Sequence, residues 1–301
     1  MLSRKEFIQA LFLTSFLSAC AENSSAPRGE RLTIGVVSYT NGNQTLKQYA
    51  SFQKYLAEQA QTFVEVDPAF NENRALERIR SRAWSLVFAD PGLAAIAIQE
   101  AQYQPLFSLE GLANLRSMIV VRKDSPLKSL RDLTGKSVVL GLPGSATGYY
   151  IPLFNLYGLT LAELSFAATP KIGLEQVISG RAAAAALSQQ ELESSEVGSD
   201  LRILFADSHF IPPGVLLLGP DVERNREQQI RQILKEIPET ITRTVGYLPN
   251  SLPPDYSYMF AVVKRVRLIF PDVPDPIRLK PARLYSQENK QTKSPLPGAM
   301  A

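Results

Sequence analysis

A short loop of glycine and hydroxyl residues, Gly144-Ser145-Ala146-Thr147-Gly148, is the segment of this sequence best suited to bind a ligand. It lies between a predicted strand over 136–140 and a predicted helix over 149–157. The first amides of a helix have no intrahelical acceptor, and the helix dipole adds partial positive charge there. Together with the hydroxyls of Ser145 and Thr147, these amides predict a site for phosphate, phosphonate, sulfonate or carboxylate. Plain helix capping by either hydroxyl is the alternative that the spacing leaves open.

Two further polar side chains are predicted to border the same ligand. Tyr39 follows the first predicted strand and Asp90 follows the third, and strand carboxyl ends border the crevice of an open α/β sheet. The Tyr39 hydroxyl would bond a ligand oxygen, while Asp90 would accept from a protonated phosphoryl oxygen or a ligand amine. The structural alternatives are an aromatic ring packed on the sheet for Tyr39 and a helix N-cap for Asp90.

Other kinds of chemistry find less support in the sequence. The loop contains no lysine, and the absence of Gly-x-x-x-x-Gly-Lys-Ser/Thr excludes a nucleotide P-loop. Because His209 is the only histidine and Cys20 the only cysteine, we predict no metal site and no cofactor. A serine hydrolase using Ser145, Asp207 and His209 is a weaker alternative, since Pro143 stands where the nucleophile elbow needs its first glycine. We therefore predict no catalytic residues and no enzymatic activity.

The N-terminus has the pattern of a secretory signal peptide. Arg4 and Lys5 precede an apolar run from Phe7 to Leu17, and small residues lead to Cys20. The run is too short to cross a bilayer as a permanent helix. The cleavage site resembles a bacterial lipoprotein box, which implies a lipid on Cys20 and a periplasmic or cell-envelope location. An ordinary signal peptide with an incidental cysteine is the alternative.

Charge and composition restrict the partners of the chain. The sequence has 32 basic and 29 acidic residues among 301, a balance that lacks the basic face of a nucleic-acid-binding protein. Because no second apolar run is long enough to cross a membrane, lipid on Cys20 is the only membrane contact that we predict.

Short apolar runs alternate with amphipathic segments along most of the chain, which predicts an α/β fold with mixed, mainly parallel sheets covered by helices. The pattern restarts after residue 113, so two lobes joined by a hinge are expected, with a ligand cleft between them. The predicted organisation is a signal peptide (1–19), a tether (20–30), lobe I (31–113 plus 209–285), lobe II (114–208) and a disordered tail (286–301).

The individual elements follow from periodicity and from end signals. The predicted strands are 32–37, 63–66, 85–89, 116–121, 136–140, 166–168, 182–187, 201–205 and 215–218. The predicted helices are 43–60, 71–82, one opening at Pro91, 149–157, 174–179, one capped by Ser188 with Glu191, 223–244 and 256–269.

Several motifs resemble the phosphate/phosphite/phosphonate-binding proteins of ABC importers, which are type II periplasmic binding proteins. The runs DSPLKSLRDLTGK (124–136) and SATGYYIP (145–152) look like motifs of that family's second lobe. Weaker similarities cover 88–91, 177–186 and 211–213. The resemblance implies a two-lobed type II fold and a lipid-anchored, monomeric solute-binding protein that captures a small oxyanion and presents it to an ABC permease. A ligand-sensing lobe for a membrane receptor is the alternative.

The resemblance also implies the positions that contact the ligand. They are the loop residues Ser145, Ala146, Thr147 and Gly148, with Tyr39 and Asp90 from the first lobe. Ala146 stands where the family commonly has a hydroxyl residue. A histidine expected near 171–175 and a tyrosine expected near 67–70 are missing, so the identity of the anion stays open.

Overall fold

The computed structural model describes residues 31–38, 42–111, 115–269 and 278–285. The predicted signal peptide, tether, lipid attachment at Cys20, ligand contact at Tyr39 and C-terminal tail lie outside these residues. No helix in the described ranges combines the length and apolar character needed to cross a membrane.

The elements alternate much as the sequence pattern indicates. The strands are β1 (Arg31–Val37), β2 (Phe63–Ala69), β3 (Leu86–Ala89), β4 (Gln104–Ser108), β5 (Ser117–Arg122), β6 (Ser137–Leu140), β7 (Thr160–Leu161), β8 (Glu163–Phe166), β9 (Ala184–Ser188), β10 (Leu201–Ala206), β11 (Val215–Leu218) and β12 (Ala282–Arg283). The helices are α1 (Gly42–Ala60), α2 (Glu72–Arg80), α3 (Pro91–Ala101), α4 (Ile151–Asn155), α5 (Pro170–Ile178), α6 (Gln189–Glu193), α7 (Arg224–Glu236), α8 (Glu239–Val245) and α9 (Ser257–Ile269).

Two five-stranded sheets form the framework of the fold. Their strand orders are β2-β1-β3-β11-β4 and β10-β5-β9-β6-β8. Strands β1 and β3 are parallel, and β6 is parallel to both β8 and β9. Strand β11 runs antiparallel to β3 and β4, and β5 runs antiparallel to β9 and β10. The chain enters the second sheet at β5 and returns to the first sheet at β11. Each of these strands is antiparallel to its neighbours, so each crossing adds one antiparallel strand to the sheet that it enters. The prediction of mixed α/β sheets with flanking helices is confirmed.

The hydrophobic core continues from the first sheet to the second. Helix α3 is buried along almost its whole length, and its Leu93 and Ala94 share a cluster with Ala146 and Tyr149 of the second sheet's loop. Separate clusters join α1 and α7 to the first sheet and α5 to the second. The two sheets therefore meet through packed apolar side chains at α3, beside the predicted anion loop.

Proline residues account for two differences from the predicted helices. The helix predicted over 223–244 is split, because Pro238 has no amide hydrogen to continue the bonding of α7 and instead precedes the first residue of α8. Helix α5 begins at Pro170, four residues before the predicted start, because Thr169 caps it and a proline is tolerated in the first turn.

Residues 278–285 also differ from the prediction, which placed them in lobe I. Strand β12 pairs with β7, and Leu279 forms a bridge with Leu164 of the second sheet. Strands β4, β7 and β12 were not predicted either. Each is short, and β4 contains Pro105 within a five-residue stretch. The pattern of apolar residues was therefore too short to indicate a strand.

Candidate functional site

The predicted anion loop joins β6 to a helix that begins at Ala146, three residues earlier than expected. Residues Ala146–Tyr150 form a π-helical turn that continues directly into α4. The amide of Tyr150 donates to the carbonyl of Ser145 at 3.1 Å, and that of Ile151 donates to Ala146. The wide turn therefore brings the start of the helix close to the end of β6.

Pro152 explains how this turn is fixed. Because proline has no amide hydrogen, the carbonyls of Thr147 and Gly148, five and four residues before it, need other donors. The hydroxyl of Ser117 on β5 donates to the Thr147 carbonyl at 2.6 Å. The amide of Gly141 donates to the Gly148 carbonyl at 2.8 Å. The loop is thus bonded to two strands of the second sheet.

Ser145 is the N-cap of this turn. Its Oγ accepts a hydrogen bond from the Gly148 amide at 2.9 Å, so the capping role that the sequence left open is present. A hydroxyl that accepts one bond keeps its own hydrogen for another acceptor. Within the described chain, the amides of Ala146 and Thr147 have no hydrogen-bond partner, as expected at a helix start.

Two more helices begin at the same edge of the second sheet. Thr169 caps α5 through its side-chain oxygen, and Ser188 with Glu191 forms the predicted capping box of α6. These helices follow β8 and β9, which lie on either side of β6 and run parallel to it. Parallel strands end at a common edge, so three helix N-termini converge where an open α/β sheet binds its ligands.

A small cavity lies at this edge and has a volume of about 20 Å³. Its polar lining comes from Ser145, Thr169, Glu191 and, across from the second sheet, Glu72. None of the described lining residues is Lys, Arg or His. A cavity of this size holds about one water molecule, so a phosphonate group requires a more open arrangement than this one.

Helices α2 and α3 cover the anion loop from the side of the first sheet. Glu72, the first residue of α2, is only 7% exposed. A Cβ placed on Gly144 would lie 2.6 Å from the Glu72 Cβ. A Cβ placed on Gly92 of α3 would lie 2.1 Å from the Gly144 carbonyl oxygen and 2.7 Å from the Ala146 nitrogen. The backbone of α3 therefore contacts the backbone of the anion loop at the place where the ligand cleft was predicted.

Asp90 occupies the N-cap position of α3, as its place before Pro91 predicts, but its side chain makes no capping bond. Burial by the surrounding protein raises the pKa of the Asp90 carboxyl, and the nearby Glu191 carboxylate raises it further. The residue nevertheless keeps an exposed surface. Since solvent reaches it, the rise in pKa is smaller than complete burial would cause. Asp90 thus lies near enough to Glu191 of the second sheet for the two carboxyl groups to repel each other.

The structure brings some of the predicted ligand residues together and separates others. Ser145 and Gly148 line the cavity, whereas Ala146 and Thr147 are buried in the turn and do not. Sequence reasoning missed Glu72, Thr169 and Glu191 as lining residues. The available signal was their place at helix starts directly after strands β2, β8 and β9.

The Asp207–His209 pair imagined for a hydrolase exists, but it lies on the return crossing to the first sheet. The Asp207 carboxylate accepts hydrogen bonds from the backbone amide of His209 at 2.8 Å and from the side-chain amide of Asn155 at 2.7 Å. It is also hydrogen-bonded to Nδ1 of the His209 ring at 2.9 Å. The His209 ring stacks on Tyr258 at 4.7 Å. Neither Asp207 nor His209 lines the cavity beside Ser145, so the pair orders the crossing.

Comparison with solved structures agrees with this fold. A binding protein component of an ABC phosphonate transporter from Pseudomonas aeruginosa is 13% identical with a TM-score of 0.62, covering 80% of this chain and 86% of its own. PhnD1 from Prochlorococcus marinus, solved with methylphosphonate, is 17% identical with a TM-score of 0.60, covering 79% and 98%. XAC2383 from Xanthomonas citri, solved with ATP, is 20% identical with a TM-score of 0.66 over the same shares, 79% and 98%. No curated protein matches the sequence.

The family comparison covers most of the chain and confirms the resemblance seen in its motifs. Residues 34–252 match the family described as the phosphonate, periplasmic substrate-binding protein of ABC transporters. This range includes both five-stranded sheets except the first three residues of β1, together with the anion loop and both crossings, and it ends before β12. The chain belongs to the family of phosphonate-type periplasmic substrate-binding proteins of ABC transporters, and it has their type II periplasmic-binding-protein fold.

Proposed function

We propose that this protein captures a small oxyanion of the phosphonate, phosphate or phosphite type between its two sheets and presents it to an ABC permease. The observation that carries the proposal is the convergence of helix starts at Ser145, Thr169 and Ser188 on one edge of the second sheet. The dipoles of these helices, together with the unbonded amides of Ala146 and Thr147, favour negative charge at that edge. Membership of the phosphonate-binding family supports the same ligand class.

The carboxylates around the cavity narrow the choice of ligand. Glu72 and Glu191 line it, and Asp90 is near enough for the Glu191 carboxylate to raise its pKa. A fully ionised phosphate would meet repulsion from these groups, with no cationic side chain in the described lining to offset it. A ligand that also carries a proton or an amine would bond the carboxylates instead. We therefore propose monoanionic or amine-bearing phosphonates as the preferred ligands.

Binding by this route involves two conformations. The cavity of about 20 Å³ requires the sheets to separate before a phosphonate enters. The described residues of the two crossings between the sheets, 109–111 with 115–116 and 207–214, are the segments that we propose as the hinge. The ligand then favours a closed form by its differential affinity, and closure creates the surface that a permease reads. No covalent step is needed, so we propose a binding protein without enzymatic activity.

Isothermal titration calorimetry tests the ligand class. The full chain carrying Cys20→Ser is titrated with methylphosphonate, 2-aminoethylphosphonate, phosphate, phosphite and methanesulfonate. We expect binding of phosphonates, with the amine-bearing compound tighter than methylphosphonate. The proposal is wrong if none of the five binds while a neutral solute does. Turnover of a simple ester that disappears in Ser145→Ala would instead favour the hydrolase.

We also propose that the chain is anchored by lipid on Cys20 at the outer side of the cytoplasmic membrane or in the cell envelope. The support is the sequence pattern that ends at Cys20, together with the periplasmic location of the family. Fractionation of cells tests it. The unsubstituted chain should sediment with membranes, and Cys20→Ser should appear in the soluble periplasmic fraction. Equal partition of the two forms would contradict the anchor.

A further inference from the structure

Gly92 in the first turn of α3 is the point where main chain from the first sheet touches main chain from the second. A Cβ at this position would lie 2.1 Å from the Gly144 oxygen and 2.7 Å from the Ala146 nitrogen. Ordinary carbon–oxygen contacts are about 3.3–3.6 Å, so one added carbon would push the two segments apart by roughly 1 Å. Both neighbours are backbone atoms of a bonded loop, which cannot turn aside as a flexible side chain can.

The local sequence gives no other reason for glycine at this position. The φ angle of Gly92 does not lie in the left-handed region, so backbone conformation alone would permit alanine. In a helix, glycine costs roughly 1 kcal/mol relative to alanine. The neighbouring helical positions are mostly alanine or larger aliphatic residues, as in Leu93-Ala94-Ala95-Ile96-Ala97. Glycine is therefore needed at position 92 because α3 approaches the loop so closely.

This contact also determines how much space the closed form leaves between the two sheets. With Gly92 against the loop, the cavity beside Ser145 has room for about one water molecule. Leu93 and Ala94 continue the contact through the shared apolar core. The closed arrangement is thus held by apolar packing between the two sheets.

We infer that Gly92 determines how far the two sheets close, by allowing a fully shut conformation that has no room for a ligand and competes with ligand binding. A side chain at position 92 acts as a wedge and removes that conformation without unfolding either sheet. The shut form lowers the apparent affinity for the ligand by the fraction of molecules that occupy it. The inference goes beyond the proposed ligand, because closure is a property of the free protein.

Pulsed electron paramagnetic resonance of the ligand-free protein measures this closure. In the full chain carrying Cys20→Ser, spin labels are attached through Glu77→Cys on α2 and Glu175→Cys on α5, both exposed positions. Gly92, Gly92→Ala and Gly92→Val form a graded series. Thr240→Val, at an exposed site of α8, is the control for a valine placed in a helix away from this contact.

The chain with Gly92 should show the short label separation of the shut structure as a populated component. Gly92→Ala should reduce that component and Gly92→Val should abolish it, while Thr240→Val leaves it unchanged. If Gly92→Val fails to fold, Gly92→Ala still decides the question. An unchanged short component in the folded wedge variants overturns the inference, as does its absence from the chain with Gly92. Because no ligand is added, the calorimetric test of ligand class can fail or succeed separately.

Discussion

Ser145 accepts a hydrogen bond from the amide of Gly148, three residues later, at 2.9 Å. This bond makes Ser145 the cap of its own helix while the residue also lines the cavity. Capping and ligand binding are therefore compatible, because the hydroxyl accepts from Gly148 and keeps one hydrogen to donate. The two roles predict different consequences of removing the hydroxyl, and the consequences can be measured separately.

Ser145→Ala should lower both stability and affinity. Loss of the cap should reduce the free energy of unfolding by about 1 kcal/mol. Loss of a hydrogen bond to a charged ligand should cost a further ~1.5–3 kcal/mol of binding free energy, or roughly 10- to 150-fold in Kd for methylphosphonate. Denaturant unfolding and calorimetry give the two quantities.

Asn71→Ala is the matched control for Ser145→Ala. Asn71 caps α2 by accepting from the Arg74 amide at 2.9 Å, and it does not line the cavity. The control should lose similar stability and keep its affinity for methylphosphonate. Equal affinities of the two variants would show that Ser145 acts as a cap alone.

Asp90→Asn should stabilise the protein at neutral pH. The pKa of the Asp90 carboxyl is raised in the folded state, by burial first and by Glu191 second, so the ionised form is held less favourably than in the unfolded chain. Asp90 therefore reduces stability as pH rises from its unfolded pKa of about 3.9 through its folded pKa. The gain from Asp90→Asn should be absent at pH 3, grow over that window and stay constant above it.

The measurement is the free energy of unfolding of both proteins as a function of pH. Asp124→Asn is a suitable control, because Asp124 is an exposed residue whose side chain bonds Arg122 at the surface. A gain that decreases with rising pH would contradict the direction given for Asp90.

Much of the framework could be predicted because its signals are local. Alternating apolar runs marked nine strands, Ser188 and Glu191 marked a capping box, and Asp90 before Pro91 marked the start of α3. Each of these depends on residues within a few positions of one another. The parallel arrangement of β6, β8 and β9 then followed from the order of strands and helices.

The parts of the site that were missed depend on residues distant in sequence. Glu72 reaches the anion loop from α2, and Gly92 touches Ala146 from α3, contacts that no periodicity encodes. The π-helical turn depends on Pro152 together with donors from Ser117 and Gly141. Prediction from sequence therefore placed the loop between a strand and a helix but did not find the surfaces that close over it.

Ser117→Ala should destabilise the protein through the anion loop. Ser117 is 2% exposed, and its hydroxyl is the donor to the Thr147 carbonyl. Removing the donor leaves a buried carbonyl without a partner, at a cost of about 1–3 kcal/mol. Ser165→Ala is the control, because Ser165 is 9% exposed on β8 and its hydroxyl has no partner among the described residues. Denaturant midpoints that shift equally in the two variants would contradict this role of Ser117.

Gly144→Ala should be more destabilising than Gly180→Ala, although both glycines have positive φ angles. Gly180 has a φ of 73°, and a Cβ added to it would have nothing within 4 Å, so alanine there costs only the left-handed conformation, about 1–2 kcal/mol. Gly144 has a φ of 115°, and its added carbon would meet Glu72 at 2.6 Å and Leu93 at 2.9 Å. The extra loss measures the contact between the loop and helices α2 and α3. Free energies of unfolding that agree for the two variants would mean that this contact is not formed in solution.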